Sequence, residues 1–146
     1  MGDDTLTVDT SVVELRLDAI LSLLASLKQI SGMSIDTYLR DGKSQAASER
    51  WMQVAAQAVL DVASHFIAHN HWGTPQSYSE SVARLGEKGV ITSVLAERLV
   101  GLVKLRNVLV HQYANVDPRL VHGAVKKAVV GLPEFVKSVR KYLRKP

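Results

Sequence analysis

The most constraining feature of this chain is its C-terminal run of apolar residues: Val121, Val125, Ala128, Leu132, Phe135, Val139 and Tyr142 recur at alternating spacings of four and three. That spacing returns each side chain to one face of an α-helix, and no extended strand can present it that way. Asp117 stands where an N-cap is needed, and Pro118 fits the first helical position, where its fixed φ and missing N–H are harmless. Pro133, inside the run, is expected to kink this helix or divide it in two.

The same rhythm appears upstream. Val13, Leu17, Ile20, Leu24 and Leu27 mark a helix from Val13 to Ile30, with Asp9 or Thr10 as its cap and Gly32 as its stop. Ala55, Val59, Val62 and Phe66 mark a second helix from about Ser44 to His69, with a short helical turn over Ile35 to Arg40 before it. The stretch HWGTPQSY then breaks the pattern. A short helix follows from Ser77 to Glu87, and another long one from Thr92 to His111. That last segment is apolar on several faces and must be central or clamped between subunits. No segment alternates as a strand does, so the expected fold is all-α, a bundle of four long helices plus short ones.

At 146 residues the chain suits one domain, residues 1–146. It contains no cysteine, which removes disulfides, thiolate metal sites and cysteine nucleophiles. The acidic, polar start MGDDTLTVDTSV does not resemble a secretory signal. No stretch reaches the roughly 18 uncharged apolar residues of a membrane span, so a soluble, cytoplasmic protein is expected, with no membrane association. Charge is uneven: residues 117–146 carry eight lysines and arginines against two carboxylates, within a chain of net charge +4. A basic last helix can steer a nucleic acid toward the protein, or it can simply be a solvated face.

The stretch RNVLVHQY, residues 106–113, departs from the apolar pattern. Extending the stripe Leu95, Leu99, Leu102 lands on Arg106, Leu109 and Tyr113, so an arginine takes a position made for leucine. Such a charge must meet a carboxylate, line a wet cleft, or face a partner and an anion. His111 lies five residues on, about 140° around an ideal helix, so one regular helix cannot bring both to one phosphate. Either the helix loosens before His111, or two copies of it meet across a dimer axis. An arginine that forks onto a phosphate and a histidine that moves a proton suffice for RNA cleavage without metal, by attack of the ribose 2′-OH on the adjacent phosphate. The plainer alternative makes Arg106 an interhelix salt bridge and His111 a partner of the helix dipole.

Other residues have structural and functional readings side by side. His65, His69 and His71 form a cluster with i, i+4 spacing but no carboxylate at ligand distance, and a solvated helix end is expected there rather than zinc. Trp51 and Trp72 can stack on bases or anchor the core. Glu49 and Arg50 are expected to pair locally or across helices, with a supporting role at the cleft as the alternative.

Beyond these residue-level readings, ERWMQVAAQAVLDVASHFI, GTPQSYSESVARLGEKGVI and LVGLVKLRNVLVHQYANVD follow the order and spacing of HepT-like proteins, the toxin branch of the HEPN superfamily. The chain resembles that family over residues 12 to 143. The family signature of arginine, a polar residue, then histidine and x-Tyr is met by Arg106, Asn107, His111 and Tyr113. The resemblance implies a four- to five-helix bundle that dimerises through the motif-bearing helix and cleaves RNA without metal or other cofactor in a composite cleft. Arg106 would bind and polarise the phosphate, His111 would act as base or acid, and Asn107 would orient the site. It also implies a partner, an MntA-like nucleotidyltransferase antitoxin that in some pairs transfers AMP onto the motif tyrosine, here Tyr113. The alternative is a non-catalytic helical subunit that docks such a nucleotidyltransferase and assists its binding of nucleotide or substrate. Pro133 departs from the family pattern and bears on the path of the basic face.

Overall fold

The structure, a computed structural model, describes residues 8–111 and 116–145. Among the described residues six helices follow one another: α1 Thr10–Gly32, α2 Ile35–Leu39, α3 Gly42–Asn70, α4 Tyr78–Glu87, α5 Ser93–His111 and α6 Pro118–Leu143. No strand occurs among the described residues, in keeping with the expected all-α class. Short polar side chains start these helices by accepting otherwise orphaned N–H groups. Asp9 accepts from Ser11, Ser34 from Thr37, Asp41 from Ser44, Ser77 from Glu80, and Asp117 from Arg119. Thr92 Oγ1 does the same for Leu95 at 3.1 Å.

The four long helices form a bundle in which α1 packs on α3 and α6, and α5 packs on α3 and α6. The apolar stripe of α1 is buried along its length, from Val13 to Ile30. That of α6 is buried from Val121 to Val139, with Tyr142 half-buried at its end. Of the kink or division expected at Pro133, the division does not occur: α6 runs continuously from Pro118 to Leu143. Pro133 denies the helix one i→i−4 hydrogen bond, but Leu132, Phe135 and Val136 around it are buried, and their packing outweighs the loss.

Two short helices complete the bundle. α2 lies against α3 and α6, where the Tyr38 hydroxyl hydrogen-bonds Ser48 Oγ at 2.8 Å and the Tyr38 ring packs on His122. His122 is buried, and its Nε2 donates to the Met33 carbonyl at 2.9 Å. α4 packs on α3 and α5, and its approach to α5 is close. A Cβ at Gly86 would stand 2.9 Å from Ala96 Cβ, so only glycine admits this contact. The contact matters for function because α4 begins with Tyr78, which reaches α5.

No helix among the described residues is long and apolar enough to cross a membrane.

Candidate functional site

α3, α4 and α5 converge on Arg106. Leu95, Leu99 and Leu102 are buried on its helix, and Arg106 itself is half-buried where their stripe comes to the surface. Arg106 Nη2 donates to Gln57 Oε1 at 3.0 Å and Nη1 donates to Asn107 Oδ1 at 3.1 Å. Its guanidinium carbon lies 5.2 Å from the centre of the Tyr78 ring, in cation–π range. Among the described residues Arg106 forms no ion pair, so it is not the interhelix salt bridge that was the plainer alternative.

The Gln57 contact extends into a chain of fixed polarity. Gln57 Nε2 donates to Asp61 Oδ1 at 2.9 Å, and Arg16 Nε of α1 lies 3.2 Å from Asp61 Oδ2. Arginine can only donate and an ionised carboxylate can only accept, so the Gln57 amide has one orientation, its oxygen on Arg106 and its nitrogen on Asp61. Asp61 thus steadies Arg106 without neutralising it. The guanidinium is held by neutral oxygens and an aromatic face, and its full positive charge remains for an anion.

His111 is the last residue of α5 and is exposed. The helix continues to it, so the loosening considered as one way of uniting Arg106 and His111 is not found. On a regular helix the two stand about 140° and 7 Å apart along the axis. Asn107 falls beside Arg106, whereas Tyr113 lies outside the described residues. Val108, Leu109 and Val110, between the two motif residues, are only half-buried.

Two grooves flank Arg106. One, of about 650 Å³, is bordered by Ser64, Thr74, Gln76, Ser77, Tyr78 and Asn107, and no charged side chain among the described residues lines it. The loop on its rim is fastened to α4 by Arg84, which donates to the Trp72 carbonyl and pairs with Glu80 and Glu87. The other, of about 350 Å³, is lined by Arg16, Arg50, Gln53, Gln57, Asp61 and Arg106. The pairing expected of Glu49 and Arg50 is absent: neither forms an ion pair among the described residues. They are successive residues of α3, and Arg50 turns to this groove while Glu49 is half-buried, which raises its carboxyl above the usual carboxylate range.

The remaining polar clusters serve packing. His65 and His69 stack with ring centres 4.1 Å apart, but His65 Nε2 accepts the Asp9 N–H at 3.0 Å and is committed to the start of α1. Trp51 and Trp72 are half-buried against the core, and Trp72 stacks on Phe66 at 6.2 Å. Of the basic residues of α6, Arg140 is engaged with Glu14 and Asp18 of α1, while Lys126, Lys127, Lys137 and Lys141 are exposed.

Gln57, Asp61, Arg16 and Tyr78 escaped the sequence reading. One signal was present: Arg50, Gln53, Gln57 and Asp61 form a polar stripe on α3 at spacings of three, four and four. Nothing in the sequence says that this stripe meets Arg106.

Comparison with known proteins identifies the family of the chain and its fold. A family model described as Ribonuclease HepT-like matches residues 20–139. The chain is 31% identical over 136 residues to the tRNA nuclease HepT of Aphanizomenon flos-aquae, spanning 93% of this chain and 92% of that protein. It is 28% identical over 89 residues to the mRNA nuclease HepT of Shewanella oneidensis, spanning 61% and 67% respectively. Its fold matches that of a tri-AMPylated HEPN toxin of Shewanella oneidensis, solved in complex with an MNT antitoxin, with a TM-score of 0.81 at 22% identity, covering 91% of this chain and 99% of that one.

Proposed function

The chain belongs to the HepT-like ribonuclease family, and we propose that it is an endoribonuclease toxin of a type VII HEPN/MNT toxin–antitoxin pair, cutting RNA without metal at a cleft shared by two copies. Arg106 carries the proposal: a half-buried guanidinium on an apolar stripe, oriented by Gln57 and Asn107 and left without a carboxylate among the described residues. A phosphodiester supplies the missing negative charge, and the fork geometry of arginine matches its oxygens.

In the proposed reaction the ribose 2′-oxygen attacks the adjacent phosphorus and the bond to the 5′-oxygen breaks, leaving a 2′,3′-cyclic phosphate and a 5′-hydroxyl. His111 takes the proton from the 2′-OH or delivers one to the departing 5′-oxygen. Arg106 holds the phosphate and offsets the charge that grows on it. Because these residues are turned away from each other on one helix, Arg106 of one protomer works with His111 of its partner. The half-exposed Val108, Leu109 and Val110 supply apolar surface for that contact.

Two features of a relative bear on regulation: a HEPN toxin solved with an MNT antitoxin, and its AMPylated state. The proposed partner here is likewise an MntA-like nucleotidyltransferase antitoxin, which transfers an adenylyl group from ATP to the Tyr113 hydroxyl with release of pyrophosphate. An anionic group two residues beyond His111 repels RNA and competes for Arg106. Mass spectrometry of protein co-expressed with its antitoxin should find the adduct on Tyr113, and an adduct confined to another residue overturns this part.

Complementation tests the composite cleft. Arg106→Ala and His111→Ala proteins should each be inactive on RNA in EDTA, and a mixture refolded together should regain activity through dimers carrying one intact pair. Activity of His111→Ala equal to wild type, or loss of wild-type activity in EDTA, overturns the assignment. A mixture that stays inactive overturns the shared cleft.

A further inference from the structure

We propose that the groove between α1, α3 and α5 is a second phosphate subsite, in which Arg50 holds the RNA backbone next to the phosphate bound by Arg106. The inference rests on the ribonuclease reading above and extends it along the strand.

Three guanidinium groups and one carboxylate line this groove, a surplus of two positive charges in a space of about 350 Å³. The carboxylate does not relieve Arg50 or Arg106. Asp61 is occupied on one oxygen by Gln57 Nε2 at 2.9 Å and approached on the other by Arg16 Nε at 3.2 Å. Arg50 is exposed and has neither an ion pair nor a side-chain hydrogen bond among the described residues. Like charges gathered without counter-charge repel, and an anion laid along the groove removes that repulsion.

The contrast across Arg106 selects the ligand. The groove on the other side is lined by hydroxyls, amides, the apolar Ile67, Ala68 and Pro75 and the exposed Tyr78 ring, without charge among the described residues. Neutral donors and acceptors beside an aromatic face suit a nucleobase and its ribose, whereas guanidinium groups suit phosphates. A single strand crossing Arg106 would therefore leave its continuing backbone in the arginine groove. An acidic protein surface is the competing occupant, but it would cover the groove without needing its junction with Arg106.

The test is the salt dependence of binding to a fluorescent 2′-O-methyl oligoribonucleotide, which lacks the attacking hydroxyl and stays intact. Each phosphate contact on a single strand contributes about 0.7 to the slope of log K against log salt. Arg50→Ala should weaken binding and lower the slope by about 0.7, and Arg50→Lys should restore most of that slope. An unchanged slope in Arg50→Ala overturns the subsite, as does a defect confined to binding of the antitoxin. Wild-type protein that binds this oligonucleotide with the expected slope but leaves the 2′-hydroxyl RNA uncut overturns the nuclease reading alone.

Discussion

On the α1–α6 side of the bundle, Arg140 donates from Nε to both oxygens of Glu14 at 3.2 Å and from Nη2 to Glu14 at 2.9 Å, with Asp18 at 3.4 Å. On the α3–α5 side, Arg106 meets one amide oxygen from Gln57, one from Asn107, and the face of Tyr78. The Glu14 carboxylate drives Arg140 still further toward its charged form and leaves little of that charge for anything else. Arg106 is equally well oriented but not neutralised. Fixing a cation with carboxylates makes a fastener, whereas fixing it with neutral oxygens makes a receptor. The difference follows from which residues the neighbouring helix presents.

Exchanging the consequences of the two arginines is the strongest way to break this comparison. Arg106→Ala should lower RNA cleavage by about 10²- to 10³-fold, the usual effect of deleting one donor to a developing oxyanion. Its stability should stay within about 1 kcal/mol of wild type, since no ion pair is lost. Making Arg106 resemble Arg140 comes next: Gln57→Glu places a carboxylate against the guanidinium. A phosphate must then displace an attraction of up to about 4 kcal/mol before salt screening, and cleavage should fall about 10- to 100-fold in steady-state assays. Full activity in Gln57→Glu would show that neutrality around Arg106 has no importance. The reverse change, Glu14→Gln, should spare cleavage and cost about 0.5–1 kcal/mol in urea unfolding, since both partners are about one-third exposed by side chain.

These two regions were not equally legible in the sequence. The α6 stripe and the cap at Asp117 could be read directly, and the α1 cap to within Asp9 or Thr10, because each follows from local spacing or from one short side chain beside orphaned N–H groups. Arg106 could be singled out because a charge on an apolar stripe violates that same rule. Its surroundings could not be read, since Gln57 is 49 residues away and Tyr78 belongs to a different helix. Helical period tells which residues share a face but not which faces meet. The uncut path of α6 through Pro133 was hidden for the same reason: buried neighbours on other helices decide it, and local propensity does not.

The smallest expected effect sharpens the comparison at the start of α1, the helix that carries Glu14. His65 accepts the Asp9 N–H through Nε2, which only the neutral ring can do. Burial is the main cause holding its pKa below the ordinary 6.5, repulsion from His69 adds to it, and the Asp9 carboxylate opposes both. A depressed folded value means that the unfolded chain takes up the proton first as pH falls. The stabilisation is therefore complete above 6.5 and is lost as pH drops through the folded value. Asp9 does not contribute over that window, because its hydrogen bonds with Ser11 keep its own pKa below 3.8. Unfolding midpoints measured between about pH 7.5 and about pH 5 should fall more steeply for wild type than for His65→Gln, which cannot titrate. Parallel pH profiles would mean that the start of α1 does not depend on the His65 contact, and that the charge dependence of this side of the bundle ends at Arg140.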